Sequence, residues 1–337
     1  MTNKLSTIAS LVLFFLILTG CKNENKQTTI TNEPSKLEQL AVGVHSWPGG
    51  GMIYIGDKLG YFKEAGIGLD IKKIENFDTK RTSLIGGTID VDIANTMDQL
   101  VIYGENDFPA QVIGVSDESV GGDGLVGKEN ITSLKDLEGK TVAFAEASPS
   151  DFFLRYILAK NGVDISKVKL KPVADPQIAG NAVIAGQVDA AVTYEPYLSQ
   201  AEDTEGLKMI SSTKEFPTLI PGLLIANGDK VNKQPELYTK FLTAWFKSVD
   251  YYNSNREEAF KIISEGMGMD LAEVKDILSV VDIEDLKENQ KHFDKAQDDD
   301  LYELVESISL FWKENGFTTK SSNAEELVNP TILSKVK

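Results

Sequence analysis

The chain is short of the residues that carry most metal and nucleophile chemistry: 337 residues hold one cysteine and two histidines. A single cysteine excludes an internal disulfide in any redox compartment. His45 and His292 form no HExxH pair and stand in no Cys/His cluster, so neither a metal centre nor a cofactor is expected. The GxSxG and GxxxxGK[ST] patterns are missing too, which leaves no hydrolase elbow and no phosphate loop. Positive charge is scarce: 34 Lys and Arg stand against 51 Asp and Glu, a formal charge of −17. Such a surface repels phosphate backbones and anionic headgroups, and nucleic acid is excluded as a partner.

Long apolar runs are missing as well. The longest, Ile8 to Leu18, is broken by Ser10 and falls short of the roughly 20 residues of a membrane span. With Lys4 before it, the run fits the hydrophobic region of a signal peptide. It ends in Leu18-Thr19-Gly20-Cys21, which resembles a bacterial lipobox with Cys21 as the lipidated residue. Several acyl chains on one cysteine, at about 0.8 kcal/mol per buried methylene, hold a protein at a membrane. The expected organisation is a leader over 1–20 and a flexible, polar tether over 21–37.

The remaining 300 or so residues are comfortable for two domains. Strands are expected at 40–44, 67–74, 91–94 and 110–115, with helices at 52–63, 79–85 and 97–103 between them. From about Gly121 the order begins again, with strands at 141–144 and 168–172 and helices at 151–161 and 177–185. Alternation with short links indicates a parallel α/β sheet in each half. Ile85-Gly86-Gly87-Thr88-Ile89-Asp90 and Ile184-Ala185-Gly186-Gln187-Val188-Asp189 match in pattern. In both, a helix ends at glycine and a turn carries an aspartate into a buried strand, which suggests two lobes of like topology. The tail is helical over 235–253, 256–265, 271–281 and 301–314. Its aromatics Phe241, Trp245, Phe311 and Trp312 fall on core-facing stripes.

Five stretches carry a resemblance. They are Trp47-Pro48-Gly49, the segment from Asp57 to Gly66 (DKLGYFKEAG), Asp117 to Val126, Leu134 to Ala143 (LKDLEGKTVA), and Gly186 to Asp189 leading into Tyr194-Glu195-Pro196-Tyr197. Together they resemble the substrate-binding proteins of the nitrate, sulfonate, taurine and thiamine-precursor uptake group. The resemblance covers Leu40 to Gly222 well and the tail loosely. It implies a type II periplasmic-binding-protein fold, with two Rossmann-like lobes, a two-segment hinge and a helical C-terminal tail. Lobe 1 would comprise 38–116 plus 221–337 and lobe 2 would comprise 117–220, with crossings near Gly114 to Ser119 and Pro217 to Gly222. It also implies a lipid-anchored extracytoplasmic receptor of an ABC importer, partnered by a permease and its ATPase, with no enzymatic activity. The opposing class is an extracellular lipoprotein enzyme.

Ligands of open α/β sheets bind beyond the carboxyl ends of the strands. Those ends place Ser46, Trp47, Gly50, Thr96, Asp117, Asp123, Ser148, Tyr194 and Glu195 as candidate ligand contacts. Trp47 can stack on a flat ligand, and the amides of Gly49 to Gly51 can receive an anion. Asp117 and Asp123 suit a cationic amine on a ligand or instead hold the hinge backbone through side-chain hydrogen bonds. Ser148-Pro149-Ser150-Asp151 reads as an N-cap, a proline at N1 and a capping acid. His45 reads as strand-end packing. An aliphatic sulfonate such as taurine ranks first as ligand, with a thiamine-type aminopyrimidine close behind.

Overall fold

A computed structural model describes residues 37–337, except 217, 298 and 299 and the side chains at 97 and 98. The expected leader, the Cys21 lipidation site and the tether lie outside the described residues. Among those described, no helix is long and apolar enough to cross a membrane.

The strands, in chain order, are β1 (Glu38–Val44), β2 (Ile67–Lys73), β3 (Val91–Asn95), β4 (Ala110–Ser119), β5 (Asp123–Lys128), β6 (Thr141–Ala145), β7 (Lys169–Val173), β8 (Ala190–Tyr194), β9 (Leu207–Ser212), β10 (Pro221–Asn227) and β11 (Val281–Ile283). They form two sheets, ordered β11-β4-β10-β3-β1-β2 and β7-β6-β8-β5-β9. The pairs β1·β2, β1·β3, β6·β7 and β6·β8 are parallel, as the alternation predicts. The sheets as wholes are mixed. β10 lies antiparallel between β3 and β4, and β5 lies antiparallel between β8 and β9. Each of these strands arrives from the other sheet, so it enters from the end opposite to its neighbours. Local sequence patterning carries no mark of that reversal.

The chain passes between sheets at 120–122 and returns at 213–220. Thr213 ties the two passages together. Its Oγ1 accepts from the Gly121 amide at 2.8 Å and shares a hydrogen bond with Ser119 Oγ at 2.8 Å.

Capping explains most helix starts. Asn76 accepts from the Thr79 amide at 2.9 Å to open the helix Phe77–Ile85, and Asp175 accepts from the Ile178 amide at 2.8 Å to open Pro176–Ile184. The expected helix at 52–63 is two pieces, Met52–Lys58 and Tyr61–Glu64, because Gly60 turns left-handed at φ +78°. In the tail, Leu271–Ile277 stops short of the expected 281, because Val281 begins β11 and pairs with the end of β4. Phe241, Trp245 and Trp312 are fully buried. Phe152 of the second lobe meets Phe311 and Trp312 with ring centroids at 5.6 and 6.0 Å, so the tail touches both lobes.

The internal repeat extends to side-chain contacts. Asp90 Oδ2 accepts from the Ala41 amide at 2.9 Å and its Oδ1 meets Lys230 at 2.6 Å. Asp189 Oδ2 accepts from the Thr141 amide at 2.9 Å and its Oδ1 meets Lys128 at 2.7 Å. Each aspartate thus clamps the parallel neighbour of the strand it leads into, β1 or β6, and a lysine at the end of the incoming antiparallel strand or just beyond it.

Candidate functional site

Two connected chambers lie between the lobes. The inner one is lined by His45, Trp47, Phe77, Ala94, Thr96, Asp117, Asp123, Pro149, Tyr194, Ile220 and Gly222 and encloses about 20 Å³, room for about one water. The outer one, about 320 Å³, has His45, Ser46, Tyr54 and Glu75 on the first lobe and Pro196, Tyr197 and Gln200 on the second. This is a closed cleft. Gln99 Nε2 donates across it to the Ala147 carbonyl at 2.6 Å, and Asn76 Nδ2 donates to the Ala174 carbonyl at 3.3 Å. Ala94 (φ +53°) and Ala147 (φ +51°) hold left-handed conformations on the two sides of the cleft, a strain typical of functional sites.

The inner wall is aromatic. Tyr194 projects from the end of β8 and meets the edge of Trp47 at 5.9 Å and of His45 at 6.2 Å, both nearly perpendicular. Burial pushes the Tyr194 phenol well above its ordinary value, so it stays protonated. Trp47 donates its indole N–H to Asp117 Oδ2 at 2.6 Å, and Ser116 Oγ donates to Asp117 Oδ1 at 2.6 Å. The Asp117 carboxyl lies between two glycines: a Cβ at Gly49 or Gly222 would come within 2.3 or 2.2 Å of it. Burial pushes this carboxyl up to about 6, with the Ser116 and Trp47 hydrogen bonds working against the rise and the charge of Glu284 adding to it.

Beneath the aromatics runs a buried ionic network. Lys80, fully enclosed, meets Asp92 Oδ1 at 2.6 Å, the Ile93 carbonyl at 2.9 Å and His45 Nδ1 at 3.2 Å. Lysine only donates, so Nδ1 of His45 accepts and Nε2 carries the proton. Burial, then the Lys80 charge, lowers the His45 pKa well below its usual value. His45 is therefore a neutral imidazole held in one tautomer by Lys80, lining both chambers with an Nε2–H donor.

Of the residues expected at the site, Trp47, Thr96, Asp117, Asp123 and Tyr194 line the inner chamber and Ser46 lines the outer. Three line neither chamber. Gly50 packs on β3, where a Cβ would meet Ile93 at 3.1 Å. Ser148 donates to the Ala145 carbonyl at 2.7 Å and caps the helix Pro149–Lys160. Glu195 receives Ser199 Oγ at 2.6 Å and the Ser199 amide at 3.1 Å, which caps the next helix instead of facing the cleft. The turn at Gly49 presses on the protein's own Asp117, which disfavours it as an anion seat. His45, set aside as packing, is the residue sequence reasoning missed. Its signal, a lone histidine at a strand end, became informative only once Lys80 was placed beneath it.

The NMT1/THI5-like family model matches residues 47–259. A Bacillus subtilis protein provisionally named as aliphatic sulfonates-binding is 23% identical over 336 residues, covering 96% of this chain and 95% of its own. A Brucella suis protein named only as a binding protein is 25% identical over 170 residues, or 49% of this chain; this chain spans about half, 52%, of that relative's length. Among solved structures, the periplasmic aliphatic sulphonate binding protein of Escherichia coli superposes with a TM-score of 0.69 at 17% identity. That match covers 88% of this chain and 99% of the other. The chain belongs to the NMT1/THI5-like family.

Proposed function

We propose that the protein is the solute receptor of an ABC importer, held at the extracytoplasmic face of the membrane by lipid on Cys21, where it closes its lobes over a small molecule and performs no chemistry on it. The observation that carries this reading is the cleft itself: a ring of His45, Trp47 and Tyr194 over Asp117, divided between two lobes that meet by hydrogen bonds. Fixed donors and acceptors joined through two passages suit hinge closure around a ligand. The lobes are taken near the expected bounds, 38–116 with 221–337 and 117–220, with residues 117–119 kept on the first lobe as the end of β4.

The lining narrows the ligand. Among the described residues, the inner chamber presents four aromatic rings and two carboxylates but no lysine or arginine side chain. A bare anion finds no countercharge there, and in the outer chamber it finds only Lys73 against Glu75 and Glu273. A flat heterocycle carrying an amino group suits the chemistry better, entering with the lobes parted because the inner chamber as it stands holds about one water. It would stack against Trp47 or Tyr194, with its amine on Asp117 or Asp123 and a ring acceptor on His45 Nε2–H. An aminopyrimidine therefore moves ahead of the sulfonate. The sulfonate reading keeps two supports: the Bacillus relative's name, and the fully buried Ser150 hydroxyl, which has no hydrogen-bond partner at the start of the helix Pro149–Lys160.

Thermal-shift screening of aminopyrimidines, taurine, longer alkanesulfonates and nitrate tests this. A ligand at about 100 times its Kd adds about 2.7 kcal/mol of stability. A shift with aminopyrimidines, weakened by about 1–3 kcal/mol in Trp47→Ala, is the expected result. A shift with sulfonates alone overturns the ligand and keeps the receptor. Turnover of any bound compound overturns the receptor. The anchor is tested separately: Cys21→Ser should free the protein from membranes or leave it unprocessed.

A further inference from the structure

On the far side of β4 from the cleft, three acidic residues come together by strand geometry. β11 runs antiparallel to the end of β4, with Asp282 opposite Glu118, and the Glu284 amide continues the ladder to the Ser116 carbonyl at 3.1 Å. Side chains alternate along strands, so Glu118, Asp282 and Glu284 share one face. The helix Leu286–His292 is fastened over that face by Asn289, which is fully buried. Its Oδ1 accepts from the Val115 amide at 2.7 Å and its Nδ2 donates to the Val115 carbonyl at 2.9 Å. One turn further on, His292 Nε2 comes within 3.4 Å of Glu284 Oε2 and 3.8 Å of Glu118 Oε1.

The one imidazole nitrogen and two carboxylate oxygens lie within 4.8 Å of one another. Bonds of about 2.0–2.2 Å in a tetrahedral zinc site set ligand-to-ligand separations of about 3.3–3.6 Å, so the three atoms need to close up only slightly. A second, independent observation points to a ligand. Glu284 is only 8% exposed, and its buried Oε2 makes no hydrogen bond of good geometry, facing only the His292 ring nitrogen at 3.4 Å, a costly state for a carboxylate oxygen. An open cavity of about 600 Å³, lined by Asp282, Glu284, Glu288 and Arg256, brings solvent to the Glu284 side of the cluster. Arg256 is itself engaged, its guanidinium over the Tyr252 ring at 4.1 Å.

We propose that Glu118, Glu284 and His292 bind a divalent transition metal of the zinc class, with a fourth position open to water. The ligands come from β4, the residue just after β11 and the helix that follows, so the ion fastens the tail onto the strand that leads into the first passage between lobes. The site is separate from the cleft and does not depend on the receptor reading. It also revises the expectation of no metal centre: Glu118 is distant in the chain from Glu284 and His292, and the spacing of that pair matches no metal-site motif.

Zinc alone is the probe, titrated calorimetrically into chelator-treated full-length protein near neutral pH. The expected result is one zinc per chain, with Kd below about 10 μM. Glu284→Gln and His292→Ala should each weaken it by about 10-fold or more, on the scale seen when metal-site groups are removed. With only two histidines in the chain, ring-nitrogen NMR of the wild type gives a readout that needs no variant. Zinc should move the His292 Nε2 resonance and leave His45 where it is. Failure to bind zinc stoichiometrically, zinc bound with His292 unmoved, or wild-type affinity retained in both variants would each overturn the site.

Discussion

At matching places the two lobes hold opposite chemistry. Where the first lobe has His45, Lys80 and Asp92 joined in one buried network, the second has Ala145, Ala179 and Ala191, all buried and apolar. The correspondence follows from shared register: Gly43 pairs with Asp92 in one sheet as Ala143 pairs with Ala191 in the other. The fold does not require ions beneath its strand ends, because the second lobe is built without them. What the network does in the first lobe is fix the His45 ring and its tautomer at the cleft. The second lobe brings Asp123, Pro149 and Tyr194 to the inner chamber and Pro196, Tyr197 and Gln200 to the outer, none of them set over a buried ion pair of this kind.

The strongest test breaks that contrast. Asp92→Ala, which installs the residue of the second lobe, leaves Lys80 buried without its countercharge and should cost about 3–5 kcal/mol in denaturant unfolding. Replacing both partners, as Lys80→Met with Asp92→Ala, should recover part of that loss while loosening the His45 ring and weakening ligand. A single variant as stable as wild type would show that the network is not needed even where it occurs.

Asp117 offers the next effect. Its folded pKa of about 6 lies above the unfolded value near 3.9, so the native state holds the proton more tightly. The associated stability is present below about pH 4, is lost as pH rises through about 6, and stays lost above; the shift corresponds to about 2–3 kcal/mol. Asp117→Asn should flatten the profile between pH 4 and 7 and be the more stable protein at pH 7.5. It should also lose affinity for an amine-bearing ligand. An unchanged pH profile would mean the carboxyl is ionised in the cleft.

The repeated aspartates sharpen the comparison from the other side. Asp90→Asn and Asp189→Asn remove the same lysine partnership and should each cost about 1–2 kcal/mol, equal to within about 0.5 kcal/mol. Unequal losses would limit the repeat to backbone shape. Smallest is the cross-cleft bond from Gln99 to the Ala147 carbonyl. Gln99→Ala should weaken closure by about 1 kcal/mol, about a fivefold rise in ligand Kd, with little change in unfolding.

Much of this molecule is legible in its sequence because local patterns carry local information. Helical stripes placed Trp245 and Trp312 in the core, capping residues marked helix starts, and the Gly-turn-Asp pattern at Asp90 and Asp189 revealed the repeat. Strand ends pointed to Trp47, Thr96, Asp117 and Tyr194 before any of them could be seen to meet. Other features were settled only by tertiary structure, since they depend on segments distant in the chain. The reversed strands β5 and β10 arise from where the chain re-enters each sheet. Glu195 looks identical to a cleft residue until the next helix claims its side chain. His45 becomes a fixed donor only because Lys80, 35 residues on, is sealed beneath it, and Glu118 gains His292 only when a tail helix folds back over β4. Composition and periodicity report what a residue prefers; which partner satisfies a buried charge is decided by the packing that excludes water from it.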